Sequence, residues 1–319
     1  MKANKNQQQL LRQTDQPGTD HSATVWILRC RHCGNIYGSN STDAWERKCP
    51  ACQKGKPGIQ IPLERDGEKW NREELIIAFN LYSQIPFGTI HTRNPKIIEL
   101  AVLLGRSVGS VSYKLANLAR LDPALRARGI RGMPKGAKAE EEVWREFARD
   151  PEGLAYESAR LLAERQHTVI EDVAEIDDRN LPPAGVERET LVRLRVNQSF
   201  FRRRILSAYN YRCFVTGLAV APLLVASHIV PWSEDPSNRL NPRNGLCLNA
   251  LHDRAFDRGL MWIDDRFIVR FSRIILAEKQ SLNPAIIWMV ASEGKPLLLA
   301  NNFSPDPALL RRHARRYRA

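Results

Sequence analysis

Ala226-Ser227-His228-Ile229-Val230-Pro231-Trp232 and Asn241-Pro242-Arg243-Asn244-Gly245-Leu246-Cys247-Leu248-Asn249-Ala250-Leu251-His252-Asp253-Arg254-Ala255-Phe256-Asp257 are the stretches on which the reading of this chain turns. Leu223 to Ile229 is apolar and partly β-branched, and Pro231 ends the run. Gly245-Leu246-Cys247-Leu248 is a second short apolar run, separated from the first by a polar loop containing prolines, so a hairpin is expected. From Leu251 to Arg258 the pattern turns helical, which puts Asp253 and Asp257 on one face.

On this strand, strand, helix frame the order His228, Asn244 and then His252, Asp253 and Asp257 resembles the catalytic core of an HNH nuclease. The resemblance implies that His228 activates water, that Asn244 pins the hairpin and orients the histidine, and that the helix carries metal ligands. Hydrolysing a phosphodiester needs a base that titrates near ambient pH, which an imidazole provides, and a cation to stabilise the charge growing on phosphorus and the departing oxygen. His228 is the candidate base, with Asn244 and His252 beside it as catalytic candidates. In many relatives a histidine follows the asparagine by nine residues; here Asp253 holds that place, with His252 one residue before it and Asp257 four after. The aspartates thus fit the spacing and His252 fits the ligand type, so the ion is assigned to some of the three. His252 alternatively positions the substrate phosphate. Relatives often have an acidic residue or a second histidine just before the base, where this chain has Ser227. The carboxylates favour Mg2+ or Mn2+. Arg195-Val196-Asn197-Gln198-Ser199-Phe200-Phe201 and Tyr211-Arg212-Cys213-Phe214-Val215-Thr216-Gly217 are similar to restriction-type bacterial HNH proteins and extend the resemblance from Arg188 to Ile263.

Near the N-terminus, Cys30-Arg31-His32-Cys33 and Cys49-Pro50-Ala51-Cys52 pair two C-x2-C turns across fifteen residues, the spacing of a four-cysteine zinc site. The segment resembles a zinc ribbon. Cys30, Cys33, Cys49 and Cys52 are the expected ligands of a structural Zn2+ that supplies much of the folding free energy of so small a unit. A redox pair is the weaker reading, because two pairs occur and no βαβ pattern surrounds them. Cys213 and Cys247 cannot form a second such site, and Cys247 reads as a small core residue. With no signal-like apolar run, no membrane-length segment and no disulfide framework, a cytoplasmic protein without membrane contact is expected.

The chain has 319 residues, and its 48 Lys and Arg against 35 Asp and Glu give a formal charge of +13, which suits a polyanionic partner such as duplex DNA. Arg202, Arg203 and Arg204 precede the hairpin, and five arginines crowd residues 311–318. These are either phosphate contacts or solvated helical faces. Between the cysteines and the hairpin the sequence reads as helical. Asn71 and Glu74 form a capping pattern, and Pro95, Gly105-Arg106 and Ser107 punctuate a helix, turn, helix unit. As a helix-turn-helix this unit would aim Arg106, Ser110 and Lys114 at DNA; as a plain helical hairpin it would pack against the nuclease module.

The expected architecture is therefore a multidomain α+β chain: a disordered polar tail (1–22), a zinc ribbon (23–62), a helical, helix-turn-helix-like DNA-binding region (63–168), an acidic, proline-containing linker (169–187), a ββα-metal HNH nuclease core (188–275) and a C-terminal extension with a basic tail (276–319). The expected function is that of a metal-dependent DNA endonuclease of restriction or defence type. The alternatives are a DNA-binding regulator with a degenerate HNH fold, which Ser227 favours, and a mobile-element or homing nickase. One hydrolytic constellation per chain further suggests a homodimer on DNA for double-strand cleavage.

Overall fold

The computed structural model describes residues 3–61, 63, 65, 67–130, 136–177, 179, 181–297 and 304–318. They form two compact units, Met1–Ser83 with Phe87–Asn197, and Gln84–Pro86 with Gln198–Ala319.

In the first unit, β1 (Gln8–Pro17), β2 (Thr24–Cys30) and β3 (Ile36–Asn40) form an antiparallel sheet in that order. β2 carries the apolar side chains for both faces. Leu28 joins Leu10, Tyr37, Ala44 and Cys49, while Ile27 joins Leu11 and Val102. Residues 8–17, expected within a disordered tail, are thus a strand. The segment is mostly polar, but a register shift between Leu10 and Arg12 lets both leucines bury, and β2 satisfies the backbone of their neighbours.

The helical region holds α1 (Arg72–Gln84), α2 (Pro95–Leu104), α3 (Val108–Ala119), α4 (Pro123–Ala127), α5 (Lys138–Phe147), α6 (Pro151–Arg165) and α7 (Ile170–Ala174). The capping pattern at α1 is realised in full. Asn71 Oδ1 accepts the Glu74 N–H at 2.9 Å, and Glu74 Oε2 accepts the Asn71 N–H at 3.0 Å. Asn94 caps α2 ahead of Pro95, and Gly105, at φ 65°, ends it in the left-handed conformation that favours glycine. Ser107 then caps α3. The two helices bury Ile97, Leu100 and Leu104 with Val111, Leu115 and Leu118, while Phe79 of α1 stacks on Trp144 of α5 at 4.7 Å.

The stretch 169–187, expected as a linker, is partly helical. It contains α7 and the start of α8 (Val186–Ala208), and buried Glu171 pairs with Arg188, which also donates to the Pro182 carbonyl. Its acidity disguised an anchored segment. α8 belongs to the first unit up to Asn197 and to the second from Gln198.

The second unit is built on β4 (Leu224–His228) and β5 (Gly245–Asn249), an antiparallel hairpin that runs straight into α9 (Ala250–Asp257). A further hairpin, β6 (Met261–Ile263) with β7 (Val269–Phe271), is followed by α10 (Arg273–Glu278), α11 (Pro284–Met289) and α12 (Pro307–Arg318). Phe200, Phe201 and Ile205 of α8 are buried in this unit. Gly245 makes room for them, because a Cβ there would lie 2.3 Å from Ile205 Cδ1 and 2.7 Å from Phe201 Cζ.

Candidate active site on the ββα module

The register of the hairpin places His228 opposite Gly245. The same phenylalanine that fills the space beside Gly245 stacks on the imidazole, with Phe201 and His228 centroids 3.8 Å apart, and Trp232 closes the ring edge-on at 5.5 Å. His228 Nε2 lies 2.9 Å from the Arg239 carbonyl. A carbonyl only accepts, so Nε2 carries the proton and Nδ1 keeps a lone pair. Burial holds the pKa below the usual 6.5 against the opposing pull of that carbonyl, so the imidazole is neutral at neutral pH.

Asn244 fastens the strand exit beside this ring. Its Oδ1 accepts the Val230 N–H at 2.8 Å, and its Nδ2 donates to the carbonyls of Val230 at 3.0 Å and Asn238 at 3.1 Å. Its own carbonyl accepts from Ile229. A buried amide with both N–H groups engaged fixes the loop from 229 to 244, which also carries Arg239.

α9 brings Asp253 and Asp257 to a cleft of about 500 Å³ lined also by Ser227, His228, Arg254, Arg258, His313 and Tyr317. Burial raises the pKa of both carboxyls. Asp257 adds to the rise at Asp253, while Ser227 and Arg254 oppose it there and Arg254 and Arg258 oppose it at Asp257. The buried Ser227 hydroxyl lies near enough to favour the Asp253 anion but closes no hydrogen bond. Two carboxylates on one helix face, lining one cleft with a neutral oxygen beside them, make a hard donor set that suits a divalent cation retaining several water ligands. Among the described residues, the four cysteines are the one group of three or more His, Cys, Asp or Glu side chains packed closely enough to hold an ion.

His252 is not part of this cleft, which corrects its assignment as catalytic residue or ligand. It is fully buried, with Nε2 donating to the Met289 carbonyl at 3.0 Å and Nδ1 facing Asn249, and its ring lies between Phe271 and Trp288. Both nitrogens serve the core. One residue along a helix is a turn of about 100°, so His252 and Asp253 cannot face the same way.

A residue set missed in the sequence comes from α12. His313 is stacked on Phe256 at 3.7 Å and donates to its carbonyl, and the Tyr317 hydroxyl donates to the Asp257 carbonyl at 2.7 Å. Gly259, at φ 66°, permits this approach, since a Cβ would stand 2.1 Å from the Tyr317 ring. Leu310, His313, Ala314 and Tyr317 share helical spacing, which marks a packed face; which surface it covers is settled only by the fold.

The arginines expected at DNA are mostly engaged within the protein. Arg202 donates to the Leu224 carbonyl and stays exposed, Arg203 to Gln84 and Ser199, and Arg204 to the Leu240 carbonyl. In the helical region Arg106, expected to face DNA, is buried instead, and Ser110 and Lys114 have partners within the protein. Arg106 is 1% exposed, and its five N–H donors are all matched: to both Glu74 oxygens and to the carbonyls of Arg65, Glu68 and Lys69. Trp70 lies 4.5 Å under its guanidinium and donates to Ser110 Oγ, and Lys114 pairs with fully buried Glu140. Glu140 and Trp70 thus meet this face of α3, while Glu74 takes Arg106 just ahead of the helix.

The four cysteines converge. Cys30 and Cys52 sulfurs lie 3.5 Å apart and those of Cys33 and Cys49 3.6 Å, close to the ~3.8 Å edge of a tetrahedral thiolate site with Zn–S near 2.3 Å. Burial acts to raise the Cys30 pKa, but the backbone N–H groups of Cys33 and His32 and the neighbouring thiols outweigh it and lower it to about 6, while the Cys52 thiol is pushed up by Cys33. A cation would relieve that mutual opposition. The cluster could bind zinc.

No helix among the described residues is long and apolar enough to cross a membrane. No curated protein matches the chain. Residues 213–264 match the family model described as HNH endonuclease. That segment spans β4, β5, α9 and β6, including His228, Asn244, Asp253 and Asp257, so it is this ββα module that is similar to the HNH endonuclease family, whose fold implies a nucleic-acid substrate.

Proposed function

We propose that the chain is a metal-dependent DNA endonuclease that hydrolyses phosphodiester bonds. The observation that carries this reading is His228: a neutral imidazole with Nε2 tied to a carbonyl and Nδ1 left as an acceptor, on a cleft shared with two aspartates. His228 takes a proton from water at Nδ1 while Phe201, Trp232 and the Arg239 carbonyl keep the ring still. Asn244 holds the loop that presents that carbonyl. Asp253 and Asp257 would hold Mg2+ or Mn2+, with Ser227 Oγ beside them, and the ion when bound stabilises the charge that develops on phosphorus and the leaving oxygen. Zn2+ at Cys30, Cys33, Cys49 and Cys52 would be structural, since four thiolates leave no open position. Thiols outside any disulfide suit a cytoplasmic setting. The similarity of residues 188–263 to restriction-type proteins supports a defence role, and one constellation per chain supports two chains for cutting both strands. The test is nicking of supercoiled plasmid with and without Mg2+ or Mn2+, with the linear-to-nicked ratio followed against enzyme concentration. A protein that binds DNA and never nicks it would be a regulator; efficient linearisation in one encounter by a monomer would remove the dimer.

A further inference from the structure

The cleft that gathers His228, Asp253 and Asp257 also takes in two arginines that the fold leaves unengaged. Arg254 and Arg258 each follow one of the aspartates in sequence, line the same cleft, and are exposed. Among the described residues neither guanidinium has a hydrogen-bond or ion-pair partner. Several other arginines of this unit are engaged: Arg204 reaches the Leu240 carbonyl, Arg311 reaches Asp265, Arg312 reaches Asp235, and Arg316, which also lines the cleft, is paired with Glu234, while Arg266, Arg273 and Arg315 lie outside the cleft lining. Both Arg254 and Arg258 lie near enough to Asp257 to favour its anion, yet neither closes a bridge onto it.

Two carboxylates in one cleft repel an approaching phosphodiester, and a divalent ion of charge +2 does no more than cancel them. Binding a polyanion there requires further positive charge, aimed outward and not already neutralised. A guanidinium offers a planar pair of donors that matches two phosphate oxygens, and its stem stays extended when nothing in the protein folds it back. We propose that Arg254 and Arg258 grip the phosphate oxygens of the strand to be cut and hold a phosphodiester against His228. The inference rests on the nuclease reading of this cleft, and it moves phosphate binding from the arginines singled out in the sequence to two that were not. The ligand is the nucleic-acid backbone, read without regard to base sequence.

The experiment measures duplex binding by fluorescence anisotropy across a potassium chloride series, in the His228→Ala background without added Mg2+ or Mn2+, so that no strand is cut. Arg254→Gln and Arg258→Gln should each make the slope of log affinity against log salt shallower by about 0.9, and the double variant by about twice that. The loss should be equal on unrelated sequences, and Arg254→Lys should restore the slope. Arg315→Gln, an exposed arginine outside the cleft, should leave it unchanged. Slopes unaltered in the Arg254 and Arg258 variants, or altered equally by Arg315→Gln, would overturn the proposal. Duplex binding without cleavage by the unsubstituted protein in Mg2+ or Mn2+ removes the nuclease reading while the slopes still decide the arginines; absence of duplex binding removes both.

Discussion

Replacing Arg106 by alanine should unfold part of the helical region rather than weaken DNA binding directly. The side chain is buried against Glu74, which is itself fully buried, and every donor of one and every acceptor position of the other is taken: Glu74 Oε1 receives Arg65 and Arg106, and Oε2 receives Asn71 and Arg106. Removing one member of such a buried pair costs about 3 to 5 kcal/mol, because the remaining charge keeps its desolvation and loses its partner. Three carbonyls, of Arg65, Glu68 and Lys69, lose their donor as well. Arg65 stays on Glu74, and water entering the vacated space reaches the carbonyls, which places the loss near the lower figure, about 3 kcal/mol. Hydrogen exchange of α1 and α3 amides, read by mass spectrometry, isolates this region from the second unit; 3 kcal/mol appears there as roughly a hundredfold loss of protection. Arg106→Lys separates the two roles. A phosphate contact would survive it in large part, whereas a lysine cannot supply five donors in a fixed fork, so protection should still fall. Glu74 adds a pH signature. Its net pKa lies below the ordinary 4.5 because Arg106, the Asn71 amide and Arg65 outweigh the effect of burial, so the stability it provides is complete above 4.5 and is lost as pH falls through the lower folded value. Unchanged protection in Arg106→Ala, together with a shallower salt dependence of DNA binding, would refute this reasoning and return Arg106 to the surface.

His228→Ala should lower the nicking rate by about 10² to 10⁴ with duplex affinity nearly unchanged, and nicking by the unsubstituted protein should rise with pH through a value below 6.5 and then level off as the imidazole loses its proton. Full activity in the variant would remove His228 as the base. Gly245→Ala should cost about 1 to 3 kcal/mol by overpacking against Ile205 and Phe201, and should slow nicking as well, since Phe201 is the ring on which His228 rests; a variant with normal melting and normal rate would contradict the packing argument. Asp257→Ala should weaken Mn2+ binding measured by calorimetry, with nicking partly recovered at high Mn2+, whereas His252→Ala should lower thermal stability and leave Mn2+ affinity of the folded protein alone. A chelator strong enough to strip Zn2+, or Cys49→Ser, should expose the amides of Cys30 to Gly55 to exchange; undiminished protection there would show that the thiols hold no structural ion.

Residue type and short-range spacing were enough to read the local elements and the chemistry they carry. The hairpin, the helix after it, the Asn71–Glu74 and Ser107 caps and the two C-x2-C turns depend on contacts within a few residues, so spacing and residue type sufficed. Helical geometry alone put Asp253 and Asp257 on one face. Which way each polar side chain is used depends on long-range packing. His252 and Asp253 are neighbours in sequence, and only the packing of Met289, Phe271 and Trp288 makes one a core residue while the other lines the cleft. Arg106 and Arg254 look alike in a one-dimensional charge count; a buried glutamate from α1 takes the first, and among the described residues no acid closes a bridge onto the second. Residues 8–17 have the composition of a loose tail, and become a strand because β2 offers both hydrogen-bond partners and apolar faces. α12 lies some fifty residues beyond the α9 aspartates in sequence, and the long-range contacts that bring His313 and Tyr317 to Phe256 and Asp257 are set by the collapse of a shared core, which no local pattern encodes.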